Sequence, residues 1–115
     1  MSERLITVPN ADLKTLYNLA LTSQGTGLIS SGALKSLLLY AQDNAATPTI
    51  LECYRLKDGL EIPTPEYGFS YPLYQQISQG LSKPAQAALM IAELNSTLDL
   101  LKDEPDPVGF EVWFE

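Results

Sequence analysis

Apolar positions recur along this chain with two different periods. Leu13, Leu16, Tyr17, Ala20 and Leu21 fall on one face of a helix, which the spacing predicts over 11–24, with Asn10 as cap and Gly25 as stop. After the Gly25-Thr26-Gly27 turn, Leu34, Leu37, Leu38 and Ala41 repeat the pattern, with Ser30 or Ser31 as N-cap. The two helices read as an αα-hairpin. Leu73, Tyr74, Ile77 and Leu81 predict a short helix over 73–80. Ser82-Lys83-Pro84 restarts the helical pattern, serine capping and proline in the first turn, and it runs to Lys102. Ala87, Ile91, Leu94, Leu98 and Leu101 form its stripe, and Leu89, Met90, Ala92 and Leu100 widen it. A helix apolar over so much of its circumference is expected at the centre of the domain or against a second copy of the chain.

The period of two marks strands. Phe110, Val112 and Phe114 alternate with Glu111, Trp113 and Glu115 at the C-terminal end. Leu5, Ile6, Thr7 and Val8 precede Pro9 and predict a short strand over 4–8, expected to pair with the C-terminal one. The stretch 47–62 carries two patterns. Thr47-Pro48 and Gly59 fit the start and stop of a helix. Against this, Ile50, Tyr54 and Leu56 alternate loosely with Glu52 and Arg55, and Asp58-Gly59 is a hairpin turn signal with 60–62 as the return strand. The strand pair is the favoured reading. Three prolines and a glycine over 62–72 argue for an ordered loop. Together these elements predict one α+β domain over 1–115, mainly helical. Its helices are expected to pack on the long apolar helix, beside a small antiparallel sheet.

Composition narrows the chemistry. The chain has 115 residues, 45% of them hydrophobic, enough to fold around one core. Its net charge of −7 disfavours direct contact with nucleic acid or an anionic membrane, and favours a basic protein partner or a divalent cation. There is no histidine. That removes Ser-His and Cys-His nucleophilic catalysis and His-ligated metal sites. Cys53 is the lone cysteine, so no internal disulfide forms. The sequence starts without a basic-then-apolar leader pattern and has no membrane-length apolar run, which reads as cytoplasmic.

Two groups of residues are candidates for binding. From Glu93 onward seven acids face one base, Lys102, so this end carries −6 of the chain's −7. Within it Asp103, Glu104 and Asp106 crowd a proline-stiffened turn, suited to a basic partner or to a hard cation such as Ca²⁺. Tyr67, Phe69, Tyr71 and Tyr74 lie on or next to the proline-rich loop, where stiff aromatics serve as partner anchors. The expectation is a small acidic interaction or regulatory module acting by binding. One form of it is an inhibitor whose carboxylates mimic nucleic-acid charge, and self-association through the 82–102 helix is a further expectation. The alternatives are a Ca²⁺-binding protein, or a small enzyme using carboxylate and tyrosine chemistry through Glu52, Glu66 and Tyr67. No cofactor motif is present: Gly25-Thr26-Gly27 follows a helix, unlike a phosphate loop.

Overall fold

A computed structural model describes residues 13–44 and 46–115. Its elements run α1 (Leu13–Ala20), α2 (Ser31–Asp43), β1 (Pro48–Lys57), β2 (Leu60–Pro63), α3 (Tyr71–Ile77), α4 (Lys83–Leu101) and β3 (Val108–Phe114), with a 3₁₀ turn at Pro65–Tyr67. The strands form one antiparallel sheet in the order β2-β1-β3, so the fold is a small α+β arrangement. None of the described helices is long and apolar enough to cross a membrane. The strand expected at 4–8 and the cap expected at Asn10 lie outside the described residues.

Local signals explain most of the boundaries. The Ser30 and Ser82 hydroxyls accept hydrogen bonds from the Ala33 and Ala85 N–H groups, satisfying donors that the first turns of α2 and α4 leave open. The ambiguous segment 47–62 is the strand pair. Asp58 and Gly59 both take positive φ (53° and 76°), as a tight hairpin turn matched to strand twist requires. The 62–72 stretch is more regular than its prolines suggest. Pro65 opens the 3₁₀ turn and Pro72 sits in the first turn of α3, where a missing N–H costs nothing.

One core lies between the sheet and the helices. Leu51 and Cys53 of β1 and Phe110, Val112 and Phe114 of β3 face it, together with Leu34, Leu37, Leu38 and Ala41 of α2. α4 adds Ile91, Leu94, Leu98 and Leu101. α2 packs on α1 and α4, α4 packs on β1, and α1 and α2 pack on β3. α4 buries one stripe, while Ala92 is exposed and Leu100 is 72% exposed. The free edge of β3 is held by the link between α1 and α2. Ile29 exchanges two hydrogen bonds with Phe110 (2.8 and 2.9 Å), and the Val112 N–H donates to the Thr26 hydroxyl.

Candidate functional site

Strand alternation sends Leu51 and Cys53 inward and leaves Ile50, Glu52 and Tyr54 on the opposite, outward face of β1. A register shift between Pro48 and Ile50 keeps Pro48 opposite buried Phe114 while bringing Ile50 opposite Trp113. From there the pairing is regular, and it sets Glu52 directly across from Glu111. The outward face therefore carries two opposed carboxylates, flanked by Ile50, Trp113 and Tyr54.

The electrostatics of this face follow from that register. Burial raises the Glu111 carboxyl above its ordinary value, and the Glu52 carboxylate raises it further. A hydrogen bond from the Gly27 backbone acts the other way, and Glu61 again raises it. The Tyr54 hydroxyl donates to Glu52 Oε1 at 2.9 Å. Burial, that hydrogen bond and the carboxylates of Glu52, Glu111 and Glu61 push the Tyr54 phenol up to about 12. Like charges opposed across a ladder destabilise a sheet, and the hydrogen bonds that Glu52 accepts from Tyr54 and Glu111 accepts from Gly27 act against that cost.

Beside the pair runs a groove of about 430 Å³. Ile50, Glu52 and Tyr54 form one wall, Pro63 and Pro65 the rim, and Phe69 and Leu73 the far side. Its shape is fixed by backbone bonds along the edge of β1. Thr64 N–H and hydroxyl both donate to the Cys53 carbonyl (2.9 and 3.0 Å), and Leu51 and Phe69 exchange two bonds of 3.0 Å. Gly68 has to be glycine here, because a Cβ would stand 2.3 Å from the Leu51 carbonyl oxygen. Cys53 lines the groove but is almost wholly buried. Burial first, and the Glu66 carboxylate second, push its thiol up to about 12.

The residues singled out in the sequence are distributed differently from expectation. In the acidic turn Glu104 pairs with Arg55 at 3.0 Å; Asp106 lines a cleft with Lys35 and Lys102, and Lys102 pairs with Asp99 at 3.4 Å. Asp103 is exposed to solvent. No group of three Cys, Asp or Glu side chains suited to a metal ion occurs among the described residues. Of the four aromatics, Tyr67 and Phe69 are half-buried against the core and Tyr74 is buried, its hydroxyl donating to Gln86 at 3.0 Å. They pin the loop. Tyr71 is 37% exposed, and its hydroxyl reaches Glu115 at 3.4 Å. Of the residues considered for catalysis, Glu52 lines the groove and Glu66 lies in the 3₁₀ turn behind its rim, while Tyr67 packs on the core. Sequence reasoning missed Glu111 as a partner of Glu52. The alternation of each strand was legible, but the register between them was not. Compared with family models, with curated proteins and with solved structures, the chain matches none.

Proposed function

We propose that this chain is a small acidic interaction module that acts by binding a basic surface of another protein. The observation that carries the reading is the Glu52–Glu111 pair, two carboxylates held opposite each other on an outward sheet face at a cost to the fold. A Lys or Arg from a partner placed between them removes the repulsion and gains two charge-assisted contacts. Net charge of −7 steers such a partner toward the chain from a distance. Where the partner surface is one that normally holds phosphates, binding here competes with nucleic acid, which makes the chain an inhibitor by charge mimicry. The test is affinity capture from cell extract with the chain immobilised. Partners should elute with rising salt, compete with duplex DNA in the mimicry case, and be lost from a Glu52→Gln/Glu111→Gln double variant. Partners retained by that variant and insensitive to salt contradict the reading.

Self-association through the 82–102 helix is a second reading, favoured by Leu100, which stands 72% exposed on α4. Light scattering after size exclusion should then give a dimer that Leu100→Glu returns to monomer. A monomer at high concentration before substitution sets it aside.

A further inference from the structure

The groove between β1 and α3 combines apolar side chains with the Glu52 carboxylate, and we infer that it seats an extended segment of a protein partner whose every second residue runs apolar, basic (Lys or Arg), apolar. This rests on the binding reading above and names what the partner must present. The first argument is spacing. Ile50, Glu52 and Tyr54 succeed one another at every second residue of a strand, a repeat of about 6.5–7 Å. An extended segment carries its own same-face side chains at that repeat, so apolar and basic groups fall in step with apolar and acidic ones.

The second argument is the mode of contact. The edge of β1 is already occupied by Pro63, Thr64 and Phe69 through backbone bonds, so a partner cannot add as a further strand there. It has to bind by side chains, and the walls supply the complements. Leu73 lines the groove and is 41% exposed, and Ile77 one turn further along α3 is also partly exposed. The volume of about 430 Å³ lies within the roughly 300–1,000 Å³ of clefts that hold ligands. The third argument is charge. Glu52 lines the groove and accepts the Tyr54 hydroxyl hydrogen bond there, and no basic residue is among the described residues that line it. An acidic or neutral segment is repelled or indifferent there.

Fluorescence anisotropy with labelled synthetic peptides decides the matter. The probe is a peptide repeating leucine-serine-arginine-serine, which sets leucine and arginine in turn on one face, beside one in which serine replaces the leucine and one in which glutamate replaces the arginine. The first should bind, and the serine peptide should bind at least about tenfold more weakly. Glu52→Gln and Leu73→Ser, both at exposed positions, should each weaken the first peptide by about tenfold without lowering the melting temperature. Asp103→Asn/Asp106→Asn should leave it unchanged. Equal binding of the leucine and serine peptides, or no effect of Leu73→Ser, overturns the groove and leaves the general reading standing. If neither cationic peptide binds, both fall.

Discussion

Glu52 and Glu111 face each other across the β1–β3 ladder, and the carboxyl of Glu111 is raised by burial and by its neighbour. The folded protein thus holds the Glu111 proton more tightly than the unfolded chain does. Stability from this group is fully present below the ordinary carboxyl value of 4.5 and is lost as pH rises through the raised folded value. Glu111→Gln, which keeps an oxygen to accept the Gly27 hydrogen bond, should therefore be more stable than the parent at pH 7 by about 0.2–1 kcal/mol. The gain should fade below pH 4.5, where Glu111 is already protonated in both states. Urea unfolding across that range measures it. Equal stability at neutral pH would show that the pair carries no repulsion.

Trp113 covers Gly25 so closely that a Cβ added there would stand 2.5 Å from the indole ring, and Gly25 also holds a φ of 77°. The indole is anchored by its N–H, which donates to the Ser23 carbonyl at 3.1 Å, so it cannot easily withdraw. Gly25→Ala should cost about 2 kcal/mol or more, from the left-handed backbone and the clash together. Gly27 has the same backbone sign but open space at its Cβ position. Gly27→Ala should cost only about 1 kcal/mol. Thermal unfolding of the two variants separates the terms, and equal losses would refute the contact.

Cys53 should resist modification in the native state. Its thiol is buried, held up to about 12, and its Sγ lies 3.6 Å from the Tyr67 carbonyl. Ellman's reagent at pH 8 should react only as fast as the protein unfolds, and at once in urea. Rapid reaction of the folded chain would return the thiol to consideration as a nucleophile.

Calcium should leave the protein unmoved. A bound ion at 100 times its dissociation constant adds about 2.7 kcal/mol, visible in any melt. With Glu104 paired to Arg55 and no ligand cluster among the described residues, millimolar calcium should not shift the melting temperature. An upward shift reversed by EDTA would contradict that.

What the sequence showed and what it hid divide along a physical line. Short-range rules were legible: the Ser30 and Ser82 caps, the Asp58-Gly59 turn, and the alternation of Phe110, Val112 and Phe114. These depend on residues within a few positions of each other. Asp103, Glu104 and Asp106 are neighbours in sequence, whereas Arg55 reaches Glu104 from strand β1, remote in sequence. The Glu52–Glu111 pair was invisible for the same reason. Its two members are remote in sequence, and a one-residue slip of β3 on β1 would turn Glu111 to the other face. Tyr67 and Phe69 pack on the core from the loop while Phe69 also lines the groove, a placement that closeness in sequence does not give.

The central claim is that binding happens on the outward sheet face and its groove. Amide chemical-shift mapping during titration with the leucine-serine-arginine-serine peptide tests it most directly. The shifts should concentrate at Ile50, Glu52, Tyr54, Phe69, Leu73 and Glu111. Shifts confined to 103–106, with the sheet face silent, would contradict the account.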